Sequence, residues 1–145
     1  MPLLNNNHDK LVTKINDILT LIKNEPKKFE SVFTELFHQD FEKALDYINS
    51  LDSGFLKGLV ISVKDLFDVK GYKTRGGSKF LDGQPKIKDA NCISLIRKSG
   101  GLLLGHTNMT ELAYSGLGIN PHYGTPDNPV YKGSIPGGST SGGAV

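Results

Sequence analysis

DANCISLIRKSGGLLLGHTN, residues 89–108, changes character at its middle. The first half reads as a helix. Asp89 stands in capping position, Cys92, Leu95 and Ile96 turn inward, Arg97 and Lys98 fill the last turn, and Gly100 follows. The second half restarts as a strand through Leu102, Leu103 and Leu104. Upstream, LVISVK at 59–64 is a β-branched run of buried-strand type, followed by the glycine-rich loop KGYKTRGGSK. Strand, loop, helix and strand with short connections predict α/β architecture with an at least partly parallel sheet. Two strands do not close a stable sheet. The expected fold is therefore part of a mixed β-sheet core flanked by helices, left incomplete by 145 residues.

The residues before this unit read as helical. In 10–23, Leu11, Ile15, Ile18, Leu19 and Ile22 form one stripe at the helical period. Pro26 interrupts it, and Ser31 is placed to cap a short second segment, VFTELF. A third helix is expected over FEKALDYINSL, with Phe41, Ala44, Leu45, Ile48 and Leu51 on one face. Composition changes at Asp52-Ser53-Gly54, which divides a helical region, 1–52, from the remainder, 53–145. The first region carries no catalytic constellation, and packing is its expected role. Downstream, residues 110–113 are expected to form a single helical turn. Residues 116–136 read as loop, with prolines at 121, 126, 129 and 136.

Seventeen basic and fifteen acidic residues leave a net charge of +2, too balanced to argue for nucleic acid or an anionic membrane. A single cysteine, Cys92, rules out an internal disulfide and suits a reducing cytoplasm. No apolar run approaches membrane-spanning length, and the first residues show no secretory signal pattern. The expectation is a cytoplasmic protein that engages neither membrane nor nucleic acid.

Two features stand apart. The first is GSIPGGSTSGGAV, residues 133–145. A Walker loop needs a lysine and a hydroxyl directly after its last glycine, and Ala144-Val145 stand there instead. A dinucleotide fingerprint needs a preceding strand, and DNPVYKGSIP makes a poor one. A flexible tail and a catalytic turn both remain open, since glycines let a backbone approach another element closely and present hydroxyls. A hydroxyl needs a base to act as a nucleophile. His8, His38, His106 and His122 each read more readily as surface or structural residues. The second feature is Lys64, which ends the apolar run VISVK. Lysine is rarely buried unless paired or used, and burial lowers its pKa toward a neutral, basic amine. Lys64 is thus either a candidate base or a strand-end cation paired with Asp65 or Asp68.

GLVISVKDLFDVKGYKTRGGS, HTNMTELAYSGLGINPHYGTPDNP and IPGGSTSGGAV, in that order, resemble the amidase signature family over about residues 54–145. The resemblance implies a Ser–cis-Ser–Lys triad, with no metal and no cofactor. Lys64 matches the family's catalytic lysine, and Ser139 the bridging serine whose preceding peptide bond is cis. The acyl-forming serine then lies beyond Val145, so that this chain alone is inactive. Asn108, Thr110 and Glu111 are expected to brace the site. Ala113, Tyr114, Ser115 and Gly116 are expected to line the acyl pocket. Gly138 would house the cis bond, and Thr140 and Ser141 would support the relay. Val60 stands where the family usually has proline, and Thr140 where serine is common; neither breaks the relay. The stretches NMTELAYSGLG and PGGSTSGGAV look nearer to stand-alone amidases acting on small amides than to the glutaminase component of glutamyl-tRNA amidotransferase. An inert fragment or interaction domain is the non-enzymatic alternative. The partner implied is a small amide, and the reading leaves room for a homodimer.

Overall fold

The structure is a computed structural model that describes residues 8–38, 43, 46–47, 50 and 54–145. Helix α1 (His8–Asn24) is followed by the short α2 (Pro26–Phe29) and strand β1 (Phe33–Leu36). Strand β2 (Val60–Lys64), helix α3 (Asn91–Lys98) and strand β3 (Leu102–Thr107) complete the regular core. Two 3-10 turns follow, at Glu111–Ala113 and Ser141–Gly143. The strands form one mixed sheet in the order β1-β3-β2. β3 pairs antiparallel with β1 and parallel with β2. This is the mixed α/β core with flanking helices that the sequence predicts.

Each face of the sheet carries its own core. On one, Ile15 and Ile22 of α1 pack with Leu102 and Leu104 of β3, and Ile18 and Leu19 join them. The stripe read along 10–23 is the face that docks. On the other, Ile93 and Ile96 of α3 pack with Val63, Leu103, Val69 and Phe37. Alternation along β3 sends Leu103 to the opposite side from its neighbours. Every residue of β3 is buried, as expected of a central strand, whereas β2 on the sheet edge is only partly buried.

Several local expectations are corrected. VFTELF is not a helix: residues 33–36 are strand β1, so part of the region expected to be helical belongs to the sheet. Val, Phe and Thr fit a pleated surface, and β3 offers them a ladder that outweighs a weak local helical pattern. Ser31 caps nothing there; its carbonyl accepts from Asn108 Nδ2. Asp89 does not cap α3. Ala90 is the N-cap, and Asp89 accepts from the Lys70 N–H at 2.7 Å and pairs with Arg97 at 3.2 Å. Cys92 and Leu95 face outward and Ile93 points inward, because the docking stripe is Ile93 with Ile96. Most of the helix expected over 41–51 lies outside the described residues.

The register slips between Ile61 and Val63 against β3, and again between Phe33 and Glu35. Such irregularities bend a strand and re-aim its side chains. Past them, the His106 ring meets Phe37 edge-on at 4.8 Å, inside the α3-side core. Gly105 sits at the slip because a Cβ there would lie 2.5 Å from the Glu35 carbonyl oxygen.

Phe37 is completely buried and also packs against Tyr72, with ring centroids 4.2 Å apart. Phe37→Ala is expected to cost about 3–5 kcal/mol of unfolding free energy. Equilibrium urea denaturation checks this, and a cost near zero would show that the α3-side core does not rest on this ring.

Candidate active site

Lys64 is the last residue of β2, on the partly buried edge of the sheet. Its Nζ lies 2.6 Å from Ser139 Oγ, a hydrogen bond spanning 75 positions of sequence. Burial holds the Lys64 amine below the ordinary lysine range. The carboxylates nearest to it in sequence are engaged elsewhere. Asp68 pairs with Lys86 at 3.2 Å. Asp65 accepts from the Arg75 N–H and the Thr34 hydroxyl. The strand-end cation paired with Asp65 or Asp68 is therefore not what forms.

Ser139 is held from both sides. The Gly138–Ser139 peptide is cis. The Ser139 carbonyl accepts the Thr110 N–H at 2.9 Å. After it, the turn Ser141–Gly143 sends the Gly142 N–H to the Asn108 carbonyl at 2.8 Å. Gly138 has no room for a side chain: a Cβ would lie 2.7 Å from Gly118 N and 2.8 Å from Thr110 Oγ1. Gly138 and Gly142 thus serve close approach, whereas Gly133 and Gly137 supply positive φ.

Asn108 is the pin of this region. Its Nδ2 donates to the carbonyls of Ser31 and Gly124, at 2.8 and 2.9 Å, and its Oδ1 accepts the Met109 N–H at 2.8 Å. Its backbone N–H donates to Val32 at 2.9 Å. Glu111 accepts from Ser78 Oγ at 2.6 Å and meets His122 Nε2 at 2.9 Å; these contacts keep its carboxyl below the usual range. Thr110 and Ser141 are buried, and neither hydroxyl has a partner among the described residues. Thr140 is exposed. Residues 113–116 follow a turn in which Leu112 and Ala113 have φ of 51° and 59°. Tyr114 there is 94% exposed, and no hydrogen bond among the described residues links 113–116 to Lys64 or Ser139.

Sequence reasoning passes over Asp65, His106 and Asn120 as site residues. Asp65 and His106 are completely buried side by side, with His106 Nδ1 3.6 Å from Asp65 Oδ1. Asn120 Nδ2 joins the carbonyls of Gly77 and Met109, at 2.8 and 2.7 Å. The one available signal is an acidic residue directly after a buried-strand lysine. Its partners, Thr34 and Arg75, are too distant in sequence to be read from spacing.

The arrangement places a partly buried amine against a hydroxyl, with two buried, unpartnered hydroxyls, Thr110 and Ser141, on the segments that hold it. That is the equipment of a proton acceptor and a relay. The family model described as Amidase matches residues 14–145. The chain is 36% identical over 129 residues to the glutamyl-tRNA(Gln) amidotransferase A-subunit of Chromohalobacter salexigens, covering 89% of this chain and 26% of that protein. It is 42% identical over 92 residues to Amidase 1 of Arabidopsis thaliana, covering 62% and 22%. It superposes, with TM-score 0.81 and 31% identity, on a solved vestigial protein complex that reveals the origins of an s-triazine catabolic enzyme. That match covers 93% of this chain and 30% of the solved one. The chain thus spans between about a fifth and a third of these relatives. The strand-end lysine, the glycine-framed serine and the matched span together place this chain in the amidase family.

Proposed function

We propose that this chain supplies the base half of an amide-hydrolysing site, with the attacking serine provided by a segment outside residues 1–145. The observation that carries the reading is the 2.6 Å contact between Lys64 Nζ and Ser139 Oγ. With Lys64 neutral, the same separation lets the Ser139 hydroxyl donate to the amine lone pair.

The proton path follows. The attacking serine gives its proton to Ser139 Oγ while Ser139 passes its own to Lys64 Nζ. The freed oxygen forms a bond to the amide carbon. As the C–N bond breaks, the proton held by Lys64 returns through Ser139 to the leaving nitrogen. An acyl ester and ammonia or an amine result, and water hydrolyses the ester by the same relay in reverse. Asn108, Thr110, Glu111 and Gly138 hold the relay in register, Thr140 and Ser141 flank it, and residues 113–116 face the acyl group. In this reading residues 53–145 begin the catalytic domain, and β1 carries part of 1–52 into the same sheet. The cytoplasmic assignment rests on the lone cysteine.

The motifs favour a stand-alone hydrolase of small carboxylic amides. The match over 89% of the chain to an amidotransferase component favours a second reading, release of ammonia from glutamine within a complex. Assaying glutamine and small amides, with and without candidate partner proteins, separates the two. Hydrolysis of small amides by the enzyme alone supports the first.

In the full-length enzyme, Lys64→Ala and Ser139→Ala are each expected to lower kcat by about a thousandfold or more. Near-normal turnover in either variant removes the relay. The 145-residue chain by itself is expected to form no acyl-enzyme with an activated ester, as read by mass spectrometry.

The amine must lose its proton to act, so kcat/KM is expected to rise with pH through the Lys64 pKa. The apparent midpoint should fall below 10.5, since burial lowers it. Lys64→Arg keeps the positive charge but does not deprotonate, so it should show no such limb at any pH. A pH–rate series on both proteins checks this.

A further inference from the structure

Asp65 directly follows Lys64 and is completely buried. A buried carboxylate is tolerated only when it is well hydrogen-bonded. Oδ1 accepts the Arg75 N–H at 2.9 Å, and Oδ2 accepts the Thr34 hydroxyl at 3.0 Å. The Asp65 backbone N–H donates to Thr107 at 3.1 Å, and its carbonyl accepts the Gly76 N–H at 2.7 Å. One residue therefore ties the end of β2 to β1, to β3 and to the loop that follows β2.

Charged groups surround Asp65 in an ordered way. From β3, His106 places Nδ1 3.6 Å from Oδ1 and Nε2 3.1 Å from the Phe67 carbonyl. A ring nitrogen facing a carbonyl must carry the proton, so Nε2 is the donor. From the loop, the Arg75 guanidinium is drawn off by Glu35 of β1 at 2.7 Å and reaches Asp82 at 3.4 Å. Val63 packs in the α3-side core, so alternation along β2 turns Lys64 to the opposite side. Asp65 sits with His106 and Phe37 on the α3 side. Lys64 meets Ser139 on the other.

We propose that Asp65, faced by His106, is a positioning residue: its carboxylate locks the end of β2 from behind and so aims the Lys64 amine at Ser139. The proposal rests on the reading of Lys64 as the base. It distinguishes Asp65 from a residue kept for stability. Burial raises the Asp65 carboxyl above its ordinary range, against the opposing pull of the Arg75 N–H and His106. A carboxyl whose folded pKa is raised binds its proton more tightly in the folded state than in the unfolded. Stability then falls as pH climbs from the unfolded value, about 3.9, through the folded one, and stays lower above it. The ionised carboxylate is thus held at some cost to the fold. Asn has the same shape without the charge.

The test uses the full-length enzyme with Asp65→Asn, Thr34→Val and Lys64→Ala, reading kcat, KM and the melting temperature against pH. For Asp65→Asn, kcat is expected to fall about 10- to 100-fold with KM changed less than about threefold, as for a misaimed catalytic group. Its melting temperature should equal or exceed that of the unaltered enzyme at neutral pH, with the advantage growing as pH rises from about 4. Thr34→Val, which removes one donor, should lower kcat in the same direction by less. Normal kcat in Asp65→Asn overturns the proposal. So does a loss of kcat that merely tracks a loss of stability. Should Asp65→Asn fail to fold, Thr34→Val decides: normal kcat there overturns the proposal, and a kcat loss with unchanged KM and melting temperature supports it. Full activity in Lys64→Ala sinks the relay itself. An inactive Lys64→Ala beside a normal Asp65→Asn sinks only the positioning role.

Discussion

The end of β3 is where the rest of the site is fastened. Its side chains from Leu102 to Thr107 are all buried, so the backbone groups there have no water to bind and must find protein partners. The Thr107 carbonyl takes the Asp65 N–H from the end of β2. The Asn108 N–H goes to Val32, just before β1, and the Asn108 carbonyl takes the Gly142 N–H from the glycine-rich turn. Three segments far apart in sequence therefore meet at two consecutive peptide units. The Asn108 side chain extends the same logic to Ser31 and Gly124. Lys64 and Ser139 touch because their supporting segments are tied to one place.

That convergence also arranges the charges. The sequence surrounds Lys64 with carboxylates, and any of them nearby would hold a proton on the amine. Each is occupied. Asp68 faces Lys86, and Asp65 takes an N–H and a hydroxyl. What acts on Lys64 is burial, which favours the uncharged form. The distribution of ion pairs across this end of the sheet thus leaves one amine beside a hydroxyl, and that is the condition general-base chemistry requires.

The elements that can be read without the structure are those whose signal is local and strong. α1 shows an uninterrupted stripe from Ile15 to Ile22. VISVK and LLLGHT are apolar runs bounded by turn residues. Their parallel pairing follows from the helix between them. VFTELF misleads because six residues with alternating and helical features both present do not choose between periods; the open edge of β3 chooses for them. In α3 the expected inward face is off by part of a turn, since four apolar residues, Cys92, Ile93, Leu95 and Ile96, in so short a segment leave the stripe ambiguous until a sheet covers one side. Lys64 is legible because a lysine closing an apolar strand is chemically out of place. Ser139 is legible through its glycines and its family resemblance. Asp65 and His106 are not, because a buried pair looks like any surface pair until the chain folds over it.

By itself, then, the sequence determined helix α1, strands β2 and β3 and the glycine-rich turn, and which amine and hydroxyl stand in unusual surroundings. Those are properties of neighbours a few positions apart. The tertiary structure decided what Lys64 faces, which carboxylates are kept from it, and that β1 joins the sheet at all. Such choices depend on which unpaired backbone groups meet when separate segments are buried together, and no local stretch carries that information.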